Sequence, residues 1–227
     1  MVKPVEHRPS LPWQQVGAFM SALRAIEGVP ARAVKFAILT AARAGELRAM
    51  PWSEVDLEAA VWTDSAGRMK AAKAHRVPLS ARAVAILREL RPERPAPAEW
   101  VFKGTKPRRA VSEWSMLEVL NRMNEVREGE GVSWRDPVQN CAITLHGFRS
   151  TFRVWAGEET EHPREVVEAA LAHAIRNRAE AAYAHQSTGA APAAYGSLGH
   201  LFWRATVEAG DFKSLTLPQF CSDGAKA

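Results

Sequence analysis

With 227 residues, 47% hydrophobic and 24% charged, the chain has the composition of an ordinary globular protein of one large or two small domains. Cys141 and Cys221 form neither a close pair nor a metal-ligand spacing, the first residues lack an apolar signal core, and no apolar run approaches the ~20 residues that span a bilayer. These features exclude a disulfide scaffold and a helical membrane protein, and lead us to expect a soluble, cytoplasmic chain with free thiols. The formal net charge of +5 directs attention to an anionic partner, nucleic acid first.

Residues 1–10, with Pro4 and Pro9, read as an extended linker. Ser10 is placed to cap a helix, Pro12 suits its first turn, and Trp13 to Ile26 has helical periodicity that stops at Gly28 and Pro30. A second helix is expected from Arg32 to Met50, ended by Pro51, and Arg43 and Glu46 share one of its faces. The period then changes. Ala59–Thr63, Arg68–Lys70 and His75–Leu79 are short, turn-bounded stretches that read as a small antiparallel sheet of two or three strands. Ser80 caps a helix to about Leu90, and a proline-rich connection follows. Lys103, Lys106, Arg108 and Arg109 lie in a basic loop able to touch DNA phosphates. Helices are expected from Ser112 to Val126, Gly147 to Ala156, Pro163 to Ala172 and Arg178 to Tyr183. Beyond Gln186 the pattern degrades into an alanine-rich stretch. The whole reads as an α+β fold, mainly α-helical with a small antiparallel sheet: a compact unit over residues 11–186 and an atypical tail over 187–227.

Taken singly, the polar residues of this unit have ordinary explanations. His173, on an apolar helix with Val166, Val167, Ala170 and Leu171, reads as a packed core histidine. Arg43 with Glu46 reads as a helix ion pair worth a few tenths of a kcal/mol. Lys70 reads as a solvated strand residue, and Tyr183, one of only two tyrosines, as packing. His146 and Arg149, three apart, could face one anion. A zinc site from Cys141, His146, His173 and His185 fails on spacing, so no metal is expected.

Their order changes the reading. Leu39-Thr40-Ala41-Ala42-Arg43-Ala44-Gly45-Glu46-Leu47, then Trp52-Ser53-Glu54-Val55-Asp56-Leu57, then Arg68-Met69-Lys70 with His75-Arg76-Val77-Pro78-Leu79-Ser80, then His146-Gly147-Phe148-Arg149-Ser150-Thr151-Phe152, then Leu171-Ala172-His173 and Tyr183 resemble, in sequence, the motifs of the tyrosine recombinase (phage integrase) family. The wording around Lys70 and His146 is similar to prophage-type integrases, and the resemblance covers roughly residues 10–186. It implies that fold's catalytic domain and a DNA strand-cleaving and rejoining enzyme with double-stranded DNA as partner. Arg43 and Arg149 would clamp a phosphate, Tyr183 would attack it to form a 3′-phosphotyrosyl link, and Lys70 would protonate the leaving 5′ oxygen. His146 would be base or proton relay, His173 would hydrogen-bond the phosphate, and Glu46 would orient Arg43. The resemblance implies no cofactor, since cationic side chains stand in for a metal and the phosphotyrosine conserves bond energy. It implies a tetramer on DNA for the full-length protein.

Two features depart from the family pattern. The family's upstream DNA-binding domains are not among these 227 residues, which leads us to expect a catalytic domain on its own that binds DNA weakly. After Tyr183 the expected Met-Glu-Ala-Trp-like helix is replaced by His185-Gln186-Ser187-Thr188-Gly189 and an alanine-rich run. Codons that fit Tyr195-Gly196-Ser197-Leu198-Gly199 read Met-Glu-Ala-Trp one base later, and the gene's nucleotide sequence decides whether the tail is out of frame. Two alternatives stay open: an inactive DNA-binding remnant, and a type IB topoisomerase-like activity that reseals the same strand.

Overall fold

The stretch Val29–Thr40 has too many apolar positions for a one-sided helix, and it forms the centre of the molecule. The structure, a computed structural model, describes residues 8–65, 67, 74–129 and 133–173. In it α1 (Val16–Arg24) leads to α2 (Val29–Thr40), of which Ala31, Ala33, Val34, Phe36, Ala37, Ile38 and Leu39 are buried. A helix buried around most of its circumference needs neighbours on several sides. α1, α4 (Ala81–Leu90) and α5 (Glu113–Gly129) supply them. The helix begins three residues before the expected Arg32, because Pro30 falls in its first turn, where the missing N–H is not needed. Gly28 ahead of it takes φ +98°, a conformation only glycine adopts readily.

The expected single helix from Arg32 to Met50 is two helices. Ala41 closes α2 in the left-handed region (φ 50°, ψ 28°), Arg43 is extended (φ −76°, ψ 142°), and α3 (Ala44–Arg48) restarts in a new direction. Trp13 to Ile26 is likewise divided, into one 3-10 turn at Trp13–Gln15 and then α1. The predicted cap at Ser80 is present: its Oγ accepts from the Ala83 N–H at 3.3 Å and starts α4.

The sheet is antiparallel in the order β1 (Val55–Asp56), β2 (Val61–Asp64), β3 (His75–Pro78). Two-residue β1 is too short to show a period in the sequence, and the expected strand Arg68–Lys70 lies outside the described residues. Trp62 on β2 is the inward anchor, 1% exposed. Its ring centroid is 6.1 Å from that of Phe36, which stands 5.4 Å from Phe102. The fold is therefore α+β, mainly helical with a small antiparallel sheet, as expected from sequence. No helix among the described residues is long and apolar enough to cross a membrane.

In the second half α6 (Gly147–Glu159) packs against α7 (Arg164–Ala170) and meets α1 through Phe19, whose ring lies 5.0 Å from Phe148 and 5.3 Å from Trp134. The chain before α1 is strapped across the start of α6. Pro9 O accepts from the Thr144 N–H (3.2 Å) and Oγ1 (3.3 Å), Leu11 O accepts from Thr151 Oγ1 (2.6 Å), and the Ser10 N–H donates to Asp136 (2.8 Å). This strap passes so close to Gly147 that a Cβ there would lie 1.9 Å from Pro9 O. Gly157, in the same helix, has nothing within 4 Å of such a Cβ. Gly147→Ala is therefore expected to destabilise the protein by about 1–3 kcal/mol through overpacking. Gly157→Ala should stabilise it by roughly 0.5–1 kcal/mol through helix propensity. Urea denaturation of both variants checks the pair, and equal midpoints would remove the strap from the account.

Candidate active site

Arg43 and Arg149, from opposite halves of the chain, meet at one backbone carbonyl. Arg149 sits in the first turn of α6 and is 4% exposed. A buried guanidinium must be given acceptors. Its Nη1 donates to Ala41 O, and its Nη2 donates to Leu171 O at 2.5 Å and lies 3.1 Å from His173 Nε2. Arg43 Nη2 donates to the same Leu171 O (3.3 Å) and to Ala172 O (2.9 Å). Arg43 also corrects the simple helix-face pairing read from its spacing to Glu46. It precedes α3 rather than lying on it, and Glu46 reaches back to accept from both its backbone N–H (3.2 Å) and its Nη1 (2.5 Å).

The acceptors depend on unusual backbone. Ala41 and Ala172 both take φ 50°, a region that costs an L-residue roughly 1–2 kcal/mol. At the end of α7 the His173 N–H bonds to Glu168 O (2.9 Å) and the Ala172 N–H to Ala169 O (2.9 Å), the paired bonds of a Schellman cap. That cap folds the chain back, bringing the carbonyls of Leu171 and Ala172 to the arginines and the His173 side chain to Arg149 and Glu168.

Neutral carbonyls hold Arg149 without cancelling its charge, whereas Arg43 is also paired with the Glu46 carboxylate. Burial first, then the neighbouring Arg43, lowers the Arg149 guanidinium to about 10, with Glu46 and Glu168 acting in the opposite sense. It remains a cation at neutral pH. His146 immediately precedes α6, and its imidazole is held below the ordinary value by partial burial, then by Arg149, Arg8, Arg43 and His173. The site thus gathers two guanidiniums and two imidazoles, with the carboxylates of Glu46 and Glu168 beside them.

Of the residues singled out in the sequence, Arg43, Glu46, Arg149 and His173 are joined by direct hydrogen bonds or shared acceptors, and His146 lies near enough to feel both arginines. Lys70 and Tyr183 lie outside the described residues. The basic segment is a hydrogen-bonded turn, not the free loop suggested by its composition: Lys103 pairs with Ala110, and the Gly104 N–H donates to Arg109 O at 2.7 Å. Lys103, Lys106, Arg108 and Arg109 are exposed on it, with Lys103 Nζ 2.6 Å from a Glu99 carboxylate oxygen. Its exit is tied to α3, because Arg48 Nε donates to Val111 O at 2.8 Å.

Two residues not picked out as site residues in the sequence belong to this cluster. His75 on β3 borders a small cavity with Glu46, Asp64, Arg149 and Leu171. Its imidazole is held below the ordinary value chiefly by burial, while Glu46 and the Ala170 carbonyl oppose the shift. Glu168 on α7 lies 2.5 Å from His173 Nδ1. Neither has a spacing that betrays it: His75 arrives through the sheet, and Glu168 through the Schellman turn.

The sequence model of the phage integrase family matches residues 10–189. The chain belongs to the phage integrase family. It is 33% identical over 169 residues to the integrase of Shigella phage Sf6, and 34% identical over 169 residues to prophage integrase IntS of Escherichia coli (strain K12). Each match covers 73% of this chain and 40% of the relative, so the chain spans less than half the length of these relatives. Solved structures of similar fold include the Tn1549 transposon integrase in complex with a circular intermediate DNA (TM-score 0.59, 11% identity, 82% of this chain and 68% of that one). Another is the XerH site-specific recombinase bound to difH substrate (0.57, 18%, 84% and 54%). A third is a lambda integrase tetramer bound to a Holliday junction (0.52, 17%, 78% and 50%). These place the chain in the tyrosine recombinase catalytic-domain fold.

The depressed histidines carry a pH prediction. His75 and His146 both titrate below 6.5 in the folded protein, so beneath that pH the unfolded chain binds more protons. Stability is then greatest above pH 6.5, falls as pH drops through 6.5, and levels off below the folded-state values. Urea denaturation at pH 7.5 and 5.5 should show the fall, and His75→Asn should reduce it. An unchanged pH difference in His75→Asn would remove His75 from the buried cluster.

Proposed function

We propose that this chain is the strand-cleaving and rejoining part of a site-specific recombinase acting on double-stranded DNA. The observation that carries the reading is the meeting of Arg43 and Arg149 at Leu171 O, with His173 beside them, in a member of the phage integrase family. Two guanidiniums with spare N–H groups suit the non-bridging oxygens of a phosphodiester and the charge of its pentacoordinate transition state. Glu46 and the carbonyls of Leu171 and Ala172 fix Arg43, and its remaining N–H groups are left for the phosphate.

In this reading the Tyr183 oxygen attacks the phosphorus and forms a 3′-phosphotyrosyl bond, while the bond to the 5′ oxygen breaks and Lys70 supplies that oxygen with a proton. His146 takes or relays the phenol proton, and its depressed basicity keeps it neutral and able to accept. His173 contacts the phosphate. The exposed turn of Lys103, Lys106, Arg108 and Arg109 adds backbone contacts that weaken with salt. Rejoining follows when a 5′ hydroxyl attacks the phosphotyrosine. DNA as partner is supported by the Tn1549 and XerH complexes, and a tetramer of the full-length protein by the lambda integrase assembly.

A duplex with a nick near the cleavage site tests this, because loss of the short leaving strand traps the covalent intermediate. The expected result is a protein–DNA adduct that is absent in Tyr183→Phe. Arg149→Ala should slow its formation about 10²–10³-fold, the usual cost of removing a charge-stabilising donor. No adduct under any condition would reduce the chain to a DNA-binding remnant, and supercoil relaxation without strand exchange would make it topoisomerase-like.

A further inference from the structure

The Glu168–His173 contact says more about the site than the family resemblance does. Arg149 can only donate, so the 3.1 Å approach of its Nη2 requires a lone pair on His173 Nε2. The imidazole proton is then on Nδ1, 2.5 Å from Glu168 Oε2, where an ionised carboxylate accepts it. Glu168 is itself held in place: Arg153 Nε of α6 lies 2.7 Å from its other oxygen, and Arg164 Nε lies 3.8 Å from it. The chain of contacts runs from Arg153 through Glu168 and His173 to Arg149, and ends on the carbonyls of Ala41 and Leu171.

We propose that Glu168 is a positioning residue of this site, whose carboxylate fixes His173 as the Nδ1–H tautomer and turns the Nε2 lone pair toward Arg149. In free histidine the Nε2–H form predominates in water, so the protein imposes the minor form here. The consequence for the reaction rests on the recombinase reading. At rest His173 offers an acceptor, and it can donate to a phosphate oxygen only after Nε2 has gained a proton from solvent or a ligand hydroxyl. Glu168 is placed to face the imidazolium that forms. Five residues apart on a helix, the two would point about 140° away from each other. Left-handed Ala172 brings them together.

Nitrogen-15 NMR of the histidine ring reads the tautomer directly, with His173→Asn identifying the signals and no DNA required. In the wild-type protein at pH above 7.5, Nδ1 should carry the proton and Nε2 should show the shift of an unprotonated nitrogen. Glu168→Gln keeps an acceptor oxygen and should retain this tautomer. Glu168→Ala should let the proton move to Nε2. On the nicked duplex, Glu168→Ala should slow adduct formation about 10-fold at unchanged DNA affinity, with Glu168→Gln restoring most of the rate. A protonated Nε2 in the wild type, or a tautomer indifferent to Glu168→Ala, overturns the proposal. If Glu168→Ala does not fold, the wild-type and Glu168→Gln spectra decide. Absence of adduct in every variant, with the tautomers as expected, counts against the recombinase reading alone.

Discussion

Placing a guanidinium where almost no water reaches it is the constraint around which this molecule is arranged. Arg149 is 4% exposed and must find acceptors within the protein. They come from two chain reversals, one after α2 at Ala41 and one after α7 at Leu171. The first divides what would otherwise be a single helix and leaves Arg43 at the start of α3. The second folds Ala172 and His173 back over the arginines. Both use an alanine in the left-handed region, so local backbone energy is spent to aim carbonyls. The core around α2 is what makes these conformations tolerable, since Phe36, Trp62 and Phe102 hold the helix whose end supplies Ala41.

The choice of acceptor is chemically pointed. Carbonyl oxygens satisfy N–H groups but carry no net charge, so Arg149 keeps its full positive charge in a partly desolvated setting. The carboxylates of the cluster stand one step back: Glu46 is on Arg43, and Glu168 is on His173 and Arg153. On the recombinase reading we propose, a carboxylate bound directly to Arg149 would compete with a DNA phosphate. Burial is the first cause of the depressed imidazoles of His75 and His146, and the neighbouring arginines add to it.

Much of this is legible in the amino-acid sequence. The change from helical period to short turn-bounded stretches after Pro51 announced the sheet, and Ser80 announced α4 through an ordinary capping rule. The order of Arg43, Glu46, His146, Arg149 and His173 suggested one polar site. Three things did not show. The break in the helix at Ala41 is invisible because alanine is the best helix former, and the Arg149 that bonds its carbonyl is 108 residues away in the chain. His75 sits in a strand-like stretch whose inward neighbours are set by pairing, with Asp64 as its cross-strand partner. Glu168 lies five residues from its partner, a separation that helical geometry keeps apart.

The sequence by itself determined which residue types are available and in what order, the segments that can be helix or strand, and the family to which the chain belongs. These follow from local chemistry: side-chain period, caps, breakers and motif spacing. Only the tertiary structure decided how the charges are held. It set carbonyls rather than carboxylates against Arg149, moved Arg43 off its helix and onto the same Leu171 oxygen, and backed His173 with Glu168. Those outcomes depend on two left-handed alanines, whose conformations are favourable only once distant parts of the chain have packed together.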